Sequence, residues 1–571
     1  MKIISEIRMQ QATDAPAACT CSVGPFHVAN SPASIPVPVS SIYTRNNAPL
    51  DPEEETKVRS ALLLADRETA RINKALLQLK AAQDTLRNQR DLLEVFSSTY
   101  APLVSVLRRL PREILADIFL YLRPDEQSFD SPDLRRTVML PSHVCRRWRE
   151  IALSTPELWT TVIFVITPEV DIKRKLDCAK AWITRGRQHF LSVSISCIMP
   201  KKSARVWRAL LNILVPTCGR WKNAKISTWT SELLYLKDGI PNLESLDIRI
   251  GENEIDVFEV APNLRRLRVR GELRPVEQMR QLKLPWAQLT DCDPGMCSIE
   301  YCLELMQAMP CLVAFTVALQ PSVAYLARFP GDDERLRMER LSRLSISAIQ
   351  CKPEQIEELF ASITLPELTE FHYSNVQTGL NYTSVQIDGT FSYDLVVESC
   401  GWSHAQFIAL LTRSSCPIKR LAIRIGASLE RQDIAQLLQL TPKLEHLDLS
   451  SEPGGKYTSC IRSLLTYSPN APETCLVPHL KSVVLEDSNE IQCRHVVDGL
   501  LLMLESRWID RSDLDGGIDG PLERIDCVEL RYMEHTLPET RPESYRRLRK
   551  LIEHGLVVRT VDRGGKSAVF V

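Results

Sequence analysis

An eight-residue phrase recurs along this chain and constrains its fold more than any other feature. It runs proline, leucine two positions on, leucine or phenylalanine three further, and a β-forming residue two beyond that. Copies stand at Pro241–Ile248, Pro262–Val269, Pro310–Val317, Pro366–Tyr373 and Pro442–Leu449. Pro417–Ile423 and Pro478–Leu485 are looser versions, and Leu341–Ile346 lacks the proline. The last two apolar positions are two apart, so they share one face of an extended strand while their neighbours face the other way. Helical stretches such as Ala405–Leu411 and Asp433–Leu440 fall between copies, and spacings of about 21 to 25 residues recur. A unit this short cannot bury its own apolar face, so it must stack on units like itself.

That is the leucine-rich-repeat rule of one strand and one helix per unit. The repeats are irregular: Pro285–Leu289 opens one, but Cys292 and Pro294 fall where the second leucine and the β-former are expected. An ordinary α/β domain with leucine-rich strands is the competing reading. On the stacked reading the alternate strand positions line one exposed face. Ser245, Asp247 and Arg249 then stand beside Arg266, Arg268 and Arg270, with Glu370, His372 and Ser374, then Arg420 and Arg424, then His446 and Asp448 further along. Arg249, Arg266, Arg268 and Arg270 form a patch suited to a carboxylate or phosphate, because guanidinium binds both bidentately. They are candidate residues for binding an acidic or phosphorylated segment of another protein; the competing reading is a solvated face in which Asp247 pairs with Arg268.

Upstream lies a helical module whose apolar surface exceeds what one surface helix needs. Pro111 and Glu113 suit a helix start, and Leu110, Ile114, Leu115, Ile118, Phe119 and Leu122 spread over a wide face. After an acidic loop from Arg123 to Asp133, a second helix carries Val144, Trp148 and Ile151 on one side, and Pro156-Glu157-Leu158-Trp159 ends it in a turn. Before the module, residues 53–96 contain neither Pro nor Gly. There Leu62, Ala65, Ile72, Leu76, Leu79, Leu86 and Leu93 follow a heptad seam broken by Thr69, Gln83 and Arg90. Such a helix pairs with a second copy, folds back, or stays solvated. Residues 1–50 are rich in Pro, Ser, Ala and Asn and read as a flexible tail.

The Leu-Pro-x-Glu-Ile-Leu start, the Val-Cys-Arg-x-Trp helix and the trailing Pro-x-Leu-Trp resemble the F-box over Leu103–Val162. With a heptad helix before it and a leucine-rich region after it, the chain resembles the F-box proteins abundant in mushroom-forming fungi. The resemblance implies that Leu110, Pro111, Ile114, Leu115, Ile118, Phe119, Val144, Cys145 and Trp148 dock a Skp-family adaptor, which carries a cullin and a RING subunit. About half of them are expected to pack the helices together instead. The expected fold class is α/β: an N-terminal helical segment and F-box helices followed by an irregular leucine-rich-repeat solenoid. The domains are a tail over 1–50, a heptad helix over 51–100, an F-box over 101–162 and a repeat body over 163–571.

Composition narrows the function classes. Net charge is -1, with Lys+Arg 70 against Asp+Glu 71, which gives no global attraction for nucleic acid or anionic membrane. No apolar run spans a bilayer and none at the start has signal-peptide length. The 17 cysteines are scattered, match no metal-ligand spacing and read as mostly buried and reduced, in cytoplasm or nucleus. Cys19/Cys21 is the closest pair, and Cys292, Cys297 and Cys302 are evenly spaced. No nucleotide, metalloprotease or nucleophile-elbow motif occurs; Gly454-Gly455-Lys456 lacks a leading glycine. Asp513–Gly520 reads as a Gly-rich turn rather than a calcium loop, and Arg546–Lys550 as a charged helix face. The expectation is a non-enzyme without cofactor or metal, a client receptor of a cullin-type ubiquitin ligase. The rivals are a repeat scaffold unconnected to ubiquitin transfer and an unrecognised enzyme with a pocket in the body.

Overall fold

The computed structural model describes residues 49–570 apart from 124–133, 167–171, 198–203, 228–238, 250–253, 271–281, 322–330, 332–334, 376–385, 388–389, 392–400, 426–428, 452–456, 469–474, 487–492, 509–522, 532–541 and 562–566. Almost all of the 1–50 tail, the 124–133 part of the acidic loop, Cys19/Cys21, Gly454–Lys456 and the Asp513–Gly520 turn lie outside the described residues. Contacts group the chain into two units, Met1–Ile114 and Leu115–Val571.

In the first unit, helix α1 spans Pro52–Tyr100. Asp51 caps it, its carboxylate accepting the Glu54 N–H at 2.8 Å, and Pro52 occupies the first turn. At 1.5 Å per residue it is about 73 Å long. Ala61 is its buried residue, while Leu62, Leu76, Leu86 and Leu93 are all more than half exposed. No described helix is long and apolar enough to cross a membrane.

In the second unit, α2 (Arg112–Leu120, its first three residues belonging to the first unit), α3 (Leu134–Val144) and α4 (Arg146–Ser154) precede a sheet of 16 strands. Along its path run β1 (Thr161–Ile166), β2 (Leu191–Cys197), β3 (Trp221–Ser227), β4 (Ser245–Arg249), β5 (Arg266–Arg270), β6 (Asp291–Asp293), β7 (Ala314–Leu319) and β8 (Arg343–Ala348). They are followed by β9 (Glu370–Ser374), β10 (Arg420–Ile425), β11 (His446–Ser451), β12 (Ser482–Glu486), β13 (Cys527–Arg531), β14 (Val557–Val561) and β15 (Ser567–Phe570). Each strand pairs with its successor in the chain; every pairing on this path is parallel except β14 with β15. Met296–Cys297 pairs beside β7.

The recurring phrase explains this order. Its second leucine falls in register across the sheet: Leu246 faces Leu267, then Cys292, Phe315, Leu344, Phe371, Leu421, Leu447, Val483 and Val528. All are buried, as are the first leucines Leu243, Leu264, Leu289, Leu312, Leu341, Leu368, Leu444 and Leu480. Cys292 therefore takes the inward place of the missing leucine. Parallel strands need crossovers, and most carry helices: α5 (Ile172–Arg185), α6 (Ala204–Leu214), α7 (Ile299–Ala308), α8 (Pro353–Ser362), α9 (His404–Ser414), α10 (Arg431–Leu440), α11 (Tyr457–Leu465), α12 (Cys493–Arg507) and α13 (Pro542–Glu553). From α7 to α13 each helix packs on the next.

The polar residues before the first leucines tie successive units together. Asn242 Nδ2 donates to the Gly219 carbonyl at 2.7 Å, Asn263 Nδ2 to that of Pro241 at 3.0 Å, and Gln288 Nε2 to that of Ala261 at 2.6 Å. The basic run of α13 is engaged by acids: Arg546 with Glu543 at 2.9 Å, Arg549 with Glu553 at 3.4 Å, and Arg547 with Glu505. Gly555, just past that helix, takes φ +109°, a backbone state that favours glycine. The described cysteines are free thiols; Cys218, Cys292, Cys297, Cys302 and Cys351 are buried, whereas Cys145 and Cys178 are exposed.

Candidate functional site

Two regions carry the candidate interaction residues. In the helical module, α2 separates its apolar positions by the helical period. Leu115 and Phe119, four apart, are 1% exposed, while Ile114 and Ile118 are each 45% exposed. Trp148 is half-buried and lies on Phe119 at 5.1 Å between ring centroids. Leu115 and Phe119 therefore hold the module together. Pro111 and Cys145 are exposed, Leu110 half-buried, and Val144 60% exposed, with Leu140 and Tyr121 open beside them in the chain.

The expected single helix through Val144 and Trp148 is two helices. Val144 ends α3, and Cys145 is extended and caps α4, its thiol accepting the Trp148 N–H at 3.5 Å. Pro141 inside α3 disguises that helix, since an interior proline reads as a breaker. Ile151 and Ala152 on α4 are buried. The trailing turn fastens α4 to the first body helix. Trp159, fully buried, donates from Nε1 to the Ala152 carbonyl at 2.9 Å, meets Trp182 of α5 edge-on at 5.0 Å, and lies under the Arg185 guanidinium at 4.6 Å. Trp159 thus fixes the module to α5.

The second region is the exposed face at the β3–β8 end of the sheet. Arg266, Arg268 and Arg270 stand opposite Ser245, Asp247 and Arg249. The ion pairs differ from the expected Asp247–Arg268 contact. Asp247 binds Arg270 at 3.1 Å and approaches Lys225 at 4.0 Å, while Arg268 binds Asp293 at 3.1 Å. Register explains the exchange: Asp293 on β6 lies directly opposite Arg268 on its other side, and Arg270 reaches Asp247 along the diagonal. Sequence reading missed Asp291 and Asp293, although their alternation around buried Cys292 places both on this face. It also missed Lys225, because β3 carries no proline-led phrase.

These side chains line a cavity of about 360 Å³ that includes Arg266, Arg268, Arg270, Lys225 and Arg343 against Asp247, Asp291 and Asp293. Arg249 stands at the exposed end of β4 and does not line it. Burial pushes the Asp293 carboxyl above its usual range, against the pull of the Gly295 amide and Arg268. Cations outnumber carboxylates in the cavity, so an incoming anion is favoured, although it must compete with existing ion pairs.

Further along the same face, Asp448 gathers Arg424 at 2.9 Å, Arg531 at 3.1 Å and the Ser450 hydroxyl at 2.8 Å. Burial alone would raise this carboxyl, but the two guanidiniums and the hydrogen bonds outweigh it and hold it below the usual range. His372, 3.0 Å from the Ser345 hydroxyl, is held below the usual imidazole range by burial and then by Arg424. Burial likewise lowers His404 and His446. A histidine with a depressed folded-state pKa stays neutral when folded, so its unfolded form binds more protons just below the reference value. Stability is therefore full above about pH 6.5 and falls as pH drops toward the folded-state values. Asp448 acts lower, near and below the ordinary aspartate pKa of about 3.9. Thermal melts between about pH 7.5 and 5.5 will show a falling midpoint, and His372→Gln will flatten part of that slope; an unchanged slope would contradict this assignment.

A comparison with curated proteins gives no significant match to this chain. A family model described as F-box-like matches residues 107–165, the segment that holds α2, α3, α4, the Trp159 turn and most of β1. The chain thus carries an F-box-like domain at residues 107–165.

Proposed function

We propose that this protein is the client-recognition subunit of an SCF-type cullin-RING ubiquitin ligase, of the heptad-helix, F-box and leucine-rich-repeat type. The single observation that carries this reading is the F-box-like match over residues 107–165, because F-box domains typically bind Skp1-type adaptors. The exposure of Ile114, Ile118 and Val144 supports it, since a lasting interface needs apolar anchors. Pro111 and Cys145 complete the proposed docking set, with Leu110 and Trp148 contributing their accessible edges. Leu115 and Phe119 support the face from below. The adaptor brings the cullin, and the chain itself performs no bond chemistry.

The body serves as an irregular leucine-rich-repeat solenoid spanning residues 163–571, and its exposed strand face holds the client. The serial parallel order of β1 to β14 supports this reading. The cavity around Arg266, Arg268 and Arg270 takes an acidic or phosphorylated client segment, with Arg249 at its margin. Holding ligase and client on one chain raises the effective concentration of client lysines at the ubiquitin donor.

Co-purification of the tagged full chain with a Skp-family adaptor and cullin tests the ligase reading. Adaptor without cullin would leave a scaffold, and neither would remove the reading. Once mass spectrometry of captured proteins names a client, Arg266→Glu with Arg268→Glu will weaken its capture about tenfold or more by charge reversal. Adaptor binding will stay unchanged; undiminished client capture would remove the cavity from the account.

A further inference from the structure

Most of the seam of α1 lies open: Leu62 is 58% exposed, Ile72 49%, Leu76 57%, Leu86 65% and Leu93 69%, whereas Ala65 is half-buried. An apolar stripe repeating by heptads on a solvent-exposed helix needs a facing helix. We propose that α1 of a second copy of this chain covers it, running antiparallel and centred between Leu77 and Gln78.

The residues at the interrupted positions select this register. In it Leu62 meets the partner's Leu93, and Leu76 meets the partner's Leu79. Each polar interruption lands on an apolar residue: Thr69 on the partner's Leu86, Gln83 on the partner's Ile72, Arg90 on the partner's Ala65. The small side chain of Ala65 leaves room for the guanidinium, which stays paired with Asp91 at 2.7 Å and Glu94 at 3.4 Å on its own helix. A parallel, in-register pair would instead stack Arg90 on the partner's Arg90 in the seam, burying like charges together.

The flanks give an independent argument from charge. Antiparallel packing brings together the residues that follow the second apolar position of each heptad. That sets Arg59 against the partner's Glu94, Asp66 against the partner's Arg87, and Lys80 against the partner's Asn73. The two-fold axis repeats each contact. Asp66 and Arg87 are exposed on the single chain. In the parallel pair Asp66 and Arg87 face Ala61 and Ala82 instead, so of these charges only Arg59 meets an opposite one, on the partner's Glu54. The antiparallel dimer sends the two helix ends at Tyr100 in opposite directions, roughly 70 Å apart at 1.5 Å per residue. Two F-box-like domains then belong to one assembly, which gains avidity for paired partners.

This inference does not depend on the ligase reading, because it is tested without adaptor. Sedimentation equilibrium of the full chain will give a mass near twice 64.8 kDa. Asp66→Arg will raise the dimer Kd about tenfold or more, since attraction becomes repulsion at two symmetric contacts. Arg87→Asp alone will do the same, and the double variant will return to within about threefold of the parent. Within one helix these residues are about 31 Å apart, so rescue has to come from the partner. Circular dichroism will report unchanged helix in all three variants. A monomer, an assembly larger than a dimer, insensitivity to the single changes, or a double variant no better than either single one overturns the proposal.

Discussion

Ile114→Asp combined with Ile118→Asp will weaken adaptor binding about 100-fold or more while leaving the thermal midpoint nearly unchanged. Both side chains are 45% exposed, so the folded chain gives up little packing when either becomes charged. In a docked complex the same carboxylates would be carried into an apolar interface without a partner, at about 3 kcal/mol or more each. Calorimetric titration of the variant and a melt of the same sample separate the two quantities. Adaptor binding within about threefold of the parent would remove α2 from the docking face.

The opposite outcome is expected one turn inward and at the far end of the module. Trp159→Ala will destabilise the chain by about 3–5 kcal/mol, the range for a fully buried large aromatic side chain. It removes the indole that satisfies the Ala152 carbonyl, the edge contact to Trp182 and the ring beneath Arg185. Denaturant titration measures the loss, and hydrogen exchange will locate it in α4, β1 and α5. A loss below about 1 kcal/mol would mean that the turn does not clamp the module to the body. The functional consequence follows from stiffness. On the proposed ligase reading, a loosened clamp would leave the docking side chains intact but let the client wander from the ubiquitin donor, so ubiquitin transfer would fall more than adaptor binding.

Much of the architecture was readable because leucine spacing is dictated by a shared core. The phrase that places Leu243, Leu246 and Ile248 also places Leu444, Leu447 and Leu449, and all of these are buried in equivalent strands. What the phrase could not announce were strands without it: Thr161–Ile166, Leu191–Cys197, Trp221–Ser227 and the last three of the sheet. There, apolar residues run on or alternate without the proline-led phrase that marks a unit. Helix Leu134–Val144 was missed for the converse reason, since Pro141 reads as an interruption yet sits buried within the helix.

The candidate sites divide in the same way. Periodicity identifies which side chains are apolar and share a face, but burial depends on what covers that face. Nothing local distinguishes Leu115 from Ile114, and only the packing of Phe119 and Trp148 shows which side of α2 is internal. On the sheet, period two assigned the arginines to the exposed face. Their partners depended on the register between distant strands, which brought Asp293 to Arg268 and Arg531 to Asp448.

The account rests most heavily on the helical module being completed by another polypeptide, and one measurement addresses that directly. Purified full chain is titrated with a Skp-family adaptor, without cullin or client, and followed by calorimetry and co-elution. The account predicts one adaptor per chain with a Kd on the order of 10 nM or tighter, as large apolar interfaces of lasting complexes give. Absence of heat and of co-elution at about 10 μM of each protein would contradict it.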